Sequence, residues 1–110
     1  MYEINGTSIK LTRGDSFYCT VGMKNKDDGT DYEPQEGDVV RFALKKKYQD
    51  VDPLILKNIP TDTLTLHLEP EDTKDLAFGS YVYDIELTKA NGDVDTFIYE
   101  AEFELTKEVY

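Results

Sequence analysis

Apolar and polar residues alternate along most of the chain, with the period of two that is typical of β-strands with one buried face. Apolar residues spaced three and four apart, as on an amphipathic helix, recur over no long window. The alternation is clearest in SFYCTVGMK and DVVRFALK, where the inward positions are Phe17, Cys19, Val21 and Met23 in the first segment and Val40, Phe42 and Leu44 in the second. The pattern therefore predicts an all-β protein.

Five further segments complete the predicted strands. Their inward positions include Ile9 and Leu11, then Leu54 and Leu56, then Leu64, Leu66 and Leu68, and alternate residues of two long segments on either side of Asn91 and Gly92. Pro70, followed by acidic residues and good helix formers, predicts one short helical turn. Seven strands separated by turn signals predict a two-sheet antiparallel β-sandwich of immunoglobulin-like topology, forming a single domain over residues 1–110.

The last two strands are predicted to form a hairpin whose register follows from their alternation. A two-residue loop of Asn91 and Gly92 would turn the aromatic residues of the last strand away from the core. A three-residue loop that also includes Ala90 keeps them inward and places Lys89 opposite Asp93. This register pairs Ile85 with Phe97, Tyr83 with Tyr99 and Tyr81 with Ala101. It requires a positive φ at Gly92, as in a type I turn closed by a G1 bulge.

The tripeptide Arg13-Gly14-Asp15 serves in other proteins as an adhesion signal read by integrins. Here the parity of the flanking residues predicts the tip of a hairpin that joins the first two strands, with Thr12 facing Ser16. On this interpretation, Arg13→Ala leaves folding intact and Gly14→Val harms it. A second turn is predicted at Asp28 and Gly29, with two opposite-charge pairs across it, Lys26 with Asp31 and Lys24 with Glu33.

The segment GSYVYDI follows the rhythm of the tyrosine corner of immunoglobulin-like domains, with Tyr83 at the position of the second cysteine. The chain has no Trp, and Cys19 is its only cysteine, so an antibody-type domain with an internal disulfide is excluded. The residues predicted to have structural roles in turns or in this corner are Gly14, Asp15, Gly29, Gly79, Tyr81, Tyr83 and Gly92.

The net charge of the chain indicates which classes of molecule we do not expect it to bind. A net charge of −11, from 23 acidic and 12 basic residues, repels nucleic-acid phosphates and anionic lipid headgroups. We therefore expect neither nucleic acid nor membrane as a partner. The first residues lack the charged and apolar regions of a signal peptide, so synthesis in the cytoplasm without export is expected.

No catalytic, cofactor-binding or metal-binding residue is predicted. His67, the only histidine, faces outward on its strand without an identifiable nucleophile or orienting group. Cys19 lies on the core face, where a thiol behaves as a small hydrophobic group. The acidic segment DDGTDYEPQEGD lacks the ligand spacing of a calcium loop, which favours a solvated turn.

Several segments taken together resemble a known family: SIKLTRGDSF, GDVVRFALKK, DPLILKNI, LHLEPEDTKDLAFGSYVYDIEL, ANGDVDTFI and AEFELTKEV. They are similar to small β-sandwich domains of tailed phages and prophages of Gram-positive bacteria, such as the N-terminal domain of the baseplate upper protein (BppU). The resemblance covers the chain from about Ile9 to Val109.

The resemblance implies a non-enzymatic structural or assembly component of a tail or baseplate, located in the virion. Its expected partners are other phage structural proteins, with homo-oligomers as a further option. Because the chain ends at Tyr110, just after the last predicted strand, docking is expected rather than receptor recognition. The alternative is a free-standing binding module for carbohydrate or a cell-surface ligand, although the outward candidates Tyr18, Tyr48 and Val82 form no obvious platform.

Overall fold

The chain forms two β-sheets and one short helix. The computed structural model describes residues 2–5, 7–23, 29–47 and 49–107, with side chains from residue 7 onward except at 97, 99 and 100. Its elements are β1 (Tyr2–Asn5), β2 (Ser8–Thr12), β3 (Phe17–Thr20), β4 (Val39–Lys45), β5 (Ile55–Ile59), β6 (Thr65–Leu68), α1 (Pro70–Thr73), β7 (Gly79–Thr88) and β8 (Val94–Thr106). The predictions of a two-sheet β protein and of a helical turn at Pro70 are confirmed.

The larger sheet has the strand order β1-β2-β8-β7-β4-β5, and the smaller sheet consists of β3 and β6. The prediction of purely antiparallel sheets is wrong, because β2 runs parallel to β8, with Ile9 beside Phe103 and Leu11 beside Leu105. The alternation also did not predict β1, which pairs antiparallel with β2. The parallel pairing places inward residues of β2 and β8 next to one another.

The strands β2 and β3 do not form the predicted hairpin. They belong to different sheets, so Arg13-Gly14-Asp15 is a connection between the sheets rather than a hairpin tip, and the predicted pairing of Thr12 with Ser16 is wrong. The two strands nevertheless face one core from opposite sides. The prediction of which side chains face the core is therefore correct. Ile9, Leu11, Phe17, Val21 and Met23 are buried, and Cys19 is half-buried against the core.

The core between the sheets contains a cluster of three aromatic rings. Phe42 of β4, Tyr83 of β7 and Phe103 of β8 are buried, with ring centroids 5.4 Å apart for Phe42 and Tyr83 and 6.3 Å for Tyr83 and Phe103. Tilted and edge-on contacts at these distances are favourable. The predicted inward residues Val40 and Leu44 are buried around this cluster.

The prediction that Leu54 and Leu56 face the core is wrong. These two side chains are 50% and 54% exposed, whereas Ile55 and Ile59 of β5 are buried. The pairing with β4 is the cause: Ile55 lies opposite the buried Leu44, and side chains of directly opposed residues share a face of the sheet. Leu56 is the next residue of the strand, so its side chain points to the outer face of the sheet. The alternation could not decide between faces, since Leu54, Ile55 and Leu56 are consecutive apolar residues.

The β7–β8 hairpin has the predicted turn. The N–H of Lys89 donates to the carbonyl of Asp93 at 2.7 Å, the N–H of Gly92 donates to the carbonyl of Lys89 at 2.8 Å, and Gly92 has a φ of 97°. The three-residue loop is therefore confirmed.

The predicted pairs farther from this turn are wrong. Ile85 lies opposite Ile98, Tyr83 opposite Ala101 and Tyr81 opposite Phe103. Two irregularities near Ile85 give β8 two more residues than the segment of β7 with which it pairs. Despite these irregularities, Phe103 and Leu105 are buried, as predicted for residues on the inward face of the last strand.

A carboxylate connects this hairpin to the segment before β4. Asp38 accepts hydrogen bonds from the Tyr32 hydroxyl at 2.5 Å, from the Gln35 N–H at 2.8 Å and from the Ala90 N–H at 3.3 Å. The hydrogen bond to the carboxylate raises the pKa of Tyr32 to about 12, and the same bond is the largest cause of the lowered pKa of Asp38. Asp38 therefore holds two loops at one end of the larger sheet.

We expect Gly92→Ala to destabilise the protein by about 1 kcal/mol, because an L residue with a Cβ is strained at positive φ. Gly22→Ala is the matched control, since a Cβ at either glycine meets nothing within 4 Å and only Gly92 has a positive φ. Urea unfolding measures both variants. Equal losses of stability would contradict the turn assignment.

We expect Tyr32→Phe to lower the thermal unfolding midpoint at pH 7. The contribution of this hydrogen bond requires an ionised Asp38 and a protonated Tyr32. It is therefore present above the ordinary Asp38 pKa of 3.8, is lost as pH falls through the lowered value, and is lost again as pH rises toward 12. Tyr18→Phe is the control, because Tyr18 is 54% exposed and its midpoint should match that of the wild type at every pH. A Tyr32→Phe difference that does not shrink as pH falls from 7 toward 2 would contradict this account.

Candidate interaction surfaces

The Arg13-Gly14-Asp15 turn is held against the fold by the side chain of Arg13. Its guanidinium lies 4.0 Å from the centroid of the Phe78 ring and donates a hydrogen bond to the carbonyl of Leu76 at 3.1 Å. Its backbone N–H donates to the carbonyl of Thr106 at 3.0 Å. These contacts join the connection between the sheets to the segment that precedes β7, so the Arg13 guanidinium is engaged within the molecule.

Gly14 and Asp15 have the turn geometry expected from their residue types. Gly14 has a φ of 84°, and the N–H of Asp15 donates to the carbonyl of Thr12 at 3.1 Å. The Gly14 N–H donates to the hydroxyl of Thr73 at 3.0 Å, and Thr73 is completely buried at the end of α1. The helical turn therefore supplies a partner for a backbone group of the connection.

The three residues of the predicted tyrosine corner lie at the start of β7. The Tyr81 hydroxyl donates to the carbonyl of Ala77, four residues upstream, at 2.6 Å, as in a tyrosine corner. The Tyr83 hydroxyl donates to the carbonyl of Thr7 in the turn between β1 and β2, and burial raises the pKa of Tyr83 to about 12. Gly79 has a φ of 133° and lies beside the Lys46 ammonium. Both tyrosines have structural roles.

The second predicted turn is only partly described. Gly29 has a φ of 72°, and the N–H of Tyr32 donates to the carbonyl of Met23 at 2.9 Å, so the two flanking segments approach each other. The proposed charge pairs involve Lys24 and Lys26, which lie outside the described residues.

The candidate catalytic side chains do not form a reactive cluster. Cys19 is half-buried against the core, and partial burial raises the pKa of its thiol. His67 stacks on Tyr18 directly across β3 and β6, with ring centroids 4.2 Å apart and an angle of 8° between the rings. Among the residues that the structure describes, no three His, Cys, Asp or Glu side chains are grouped to hold a metal ion.

An open apolar cleft lies between β3 and the inner face of the larger sheet; we call it the β3 cleft. Its volume is about 430 Å³. Among the described residues that line it, none is charged, and they include Ile9, Cys19, Val21, Leu66, Ile85 and Ile98. The described lining of the cleft therefore suits apolar groups.

A second apolar surface covers the outer face of the larger sheet near its β5 edge; we call it the β5 patch. It consists of Ala43, Val51, Pro53, Leu54 and Leu56, of which Val51 is 88% exposed. A groove of about 270 Å³ lies here, framed by the basic Arg41 and Lys45 on one strand and the acidic Asp84 and Glu86 on its neighbour. An exposed apolar surface with a charged rim is typical of protein interfaces.

The sequence interpretation missed both surfaces. For the β5 patch a signal was present, because the consecutive residues Leu54, Ile55 and Leu56 cannot all face the core from a strand whose side chains alternate. For the β3 cleft no local signal exists, since the cleft depends on which strand pairs with β3.

Comparison of the chain with protein-family models, curated proteins and solved structures finds no significant match. The described residues contain no helix that is both long and apolar enough to span a membrane. The two surfaces therefore have to be interpreted from their own geometry.

We expect Arg13→Ala to destabilise the protein by about 1 kcal/mol, in contrast to the expectation from the sequence alone. The variant loses the contact with the Phe78 ring and the hydrogen bond to Leu76. Lys10→Ala is the control, because its ion pair with Glu104 is exposed and should contribute less than about 0.5 kcal/mol. Urea unfolding of both variants measures the difference, and an unchanged Arg13→Ala midpoint would show that these contacts do not stabilise the connection.

Proposed function

We propose that this chain is a non-enzymatic structural component of a phage or prophage tail or baseplate that docks to a neighbouring subunit through the β5 patch. The β5 patch is the observation that supports docking most directly. Leu54 and Leu56 are each about half exposed on a sheet face where polar side chains are otherwise expected. Burial of this surface against another subunit would remove apolar area from water.

The strand order supports an immunoglobulin-like topology. The neighbours β8, β7, β4 and β5 correspond in sequence order to strands G, F, C and C′ of a variable-type sandwich, and β3 with β6 corresponds to B with E. Such sandwiches often act as interaction modules. This correspondence is consistent with the resemblance to the N-terminal domain of the baseplate upper protein.

The rim of the β5 patch favours a specific protein partner. Arg41 and Lys45 lie on β4, and Glu86 lies on the adjacent β7, so both signs of charge border the apolar surface. Mixed charges around an apolar centre set orientation and exclude wrong partners. A carbohydrate platform has less support, since the faces of Tyr18 and His67 stack on each other rather than presenting a flat surface.

The test is quantitative mass spectrometry of particles from a bacterium that carries the gene, after prophage induction. We expect the wild-type chain in purified particles or in assembly intermediates. We expect Leu54→Asp/Leu56→Asp to reduce its incorporation at least about tenfold, because two buried unpaired carboxylates would strongly disfavour an interface.

Val94→Asp is the matched control, since Val94 is 58% exposed and lies in the β7–β8 hairpin outside the β5 patch. Its incorporation should equal that of the wild type, and thermal unfolding should show that all variants fold. Absence of the wild-type chain from particles and intermediates would refute the tail-component proposal. Normal incorporation of the double variant would refute the role of the patch.

A further inference from the structure

In the part of the chain that the structure describes, the smaller sheet has an unpaired edge along β3. The N–H of Val21 donates to the carbonyl of Leu64 at 2.7 Å and extends the register of β3 with β6, in which Cys19 lies opposite Leu66. Backbone groups of successive residues in a strand point to alternate sides. Those of Cys19 and Val21 therefore point to β6, and those of Tyr18 and Thr20 point to the opposite edge.

No strand covers this edge in the part of the chain that the structure describes. The pairing of β3 is with β6 alone, and no backbone hydrogen bond engages Tyr18 or Thr20 on the outer side. Among the described residues, the Thr20 carbonyl accepts a contact from the thiol of Cys19 alone, at 3.6 Å. The backbone groups of this edge are thus available to an added strand.

Within the described residues, the edge also lacks the features that normally prevent strand addition. Natural edges are protected by charged residues, proline, bulges or a covering segment. The segment 16–23 contains neither a charged residue nor a proline, whereas the outer strands β1 and β5 of the larger sheet contain Glu3 and Lys57. The β3 edge is therefore more permissive for pairing than either outer strand of the larger sheet.

The β3 cleft lies directly beside this edge. Tyr18, Cys19 and Thr20 line it from β3, while Ile9 and Ile98 line it from the larger sheet. Its volume of about 430 Å³ lies within the usual range of binding pockets, about 300 to 1,000 Å³. A strand added to β3 would direct every second side chain into this space.

The net charge of the protein indicates which kind of segment could pair with β3. The chain has a net charge of −11, which attracts basic segments and disfavours a second copy of the same chain. Because the described residues that line the cleft carry no charge and are mostly apolar, apolar side chains fit it best.

We propose that the outer edge of β3 is a strand-acceptor site for an extended segment of another polypeptide. The incoming backbone pairs with Tyr18 and Thr20. Its alternate apolar side chains enter the β3 cleft, and its outward side chains are basic. Main-chain hydrogen bonds supply affinity, and the cleft supplies specificity, as in other complexes formed by strand addition.

The test starts with selection of random peptides of roughly 10 residues by messenger-RNA display against the full chain. We expect the enriched peptides to alternate apolar and basic residues. Their affinities are then measured by fluorescence anisotropy for the wild type, Thr20→Pro and Thr65→Pro. The last variant is the matched control, because Thr65 lies directly opposite Thr20 and directs its backbone groups to the other edge of the same sheet.

Neither proline removes a hydrogen bond between β3 and β6, and proline is tolerated on strand edges. We expect Thr20→Pro to weaken binding at least about tenfold and Thr65→Pro to weaken it less than about twofold. N-methylation of the peptide amides that face β3 should abolish binding to the unaltered protein, which provides a test that does not depend on the folding of a variant. Bound peptide should also slow the reaction of Cys19, the only cysteine, with a thiol reagent.

Three results would overturn the proposal: no enrichment of peptides, binding that is insensitive to both Thr20→Pro and N-methylation, or a dimer of the unliganded chain that Thr20→Pro abolishes. The last result would assign the edge to a second copy. Peptide binding in solution requires no particle, so these outcomes are independent of the proposed tail function.

Discussion

The fold depends on the burial of two tyrosines on the central strand β7. Tyr81 and Tyr83 are each 3% exposed, and a buried phenol needs both apolar contacts for its ring and a partner for its hydroxyl. Tyr83 packs between Phe42 and Phe103, while its hydroxyl donates to the Thr7 carbonyl. A single side chain thus links the core, the two strands beside β7 and the turn between β1 and β2. The chain has no Trp and only one cysteine, so neither an indole ring nor an internal disulfide is available for this purpose.

The loops are fixed by similar pairings of one side chain with distant backbone. Arg13 and Thr73 attach the connection between the sheets to the segment around α1, and Asp38 attaches the segment before β4 to the β7–β8 turn. In the described residues, no buried side-chain nitrogen or oxygen lacks a hydrogen-bond partner. The polar side chains in the described part of the interior are therefore all paired.

The surfaces that remain available result from an unequal division of strands between the sheets. Six strands form one sheet and two form the other, because β1 and β2 join the larger sheet instead of extending the smaller one at β3. Among the described strands, this leaves the outer edge of β3 without a partner beside an apolar cleft, and it leaves β5 at the margin of the larger sheet with Leu54 and Leu56 outward. Both features thus follow from the way the strands are divided between the two sheets.

Features that depend on interactions between residues close in the sequence could be predicted from the sequence alone. Alternation identified the inward faces of β2, β3, β4 and β6, and the requirement for positive φ located the Gly92 turn, because side-chain period and backbone sterics act within a few residues. Long-range pairing decided the rest. Three features depend on pairing with another strand: the parallel pairing of β2 with β8, the extra residues of β8 and the outward orientation of Leu56. The alternation of apolar and polar residues carries no information about which strand that partner is. The tertiary structure alone therefore produced the open edge of β3, since an unpaired edge is a property of the whole sheet and not of the four residues that form it.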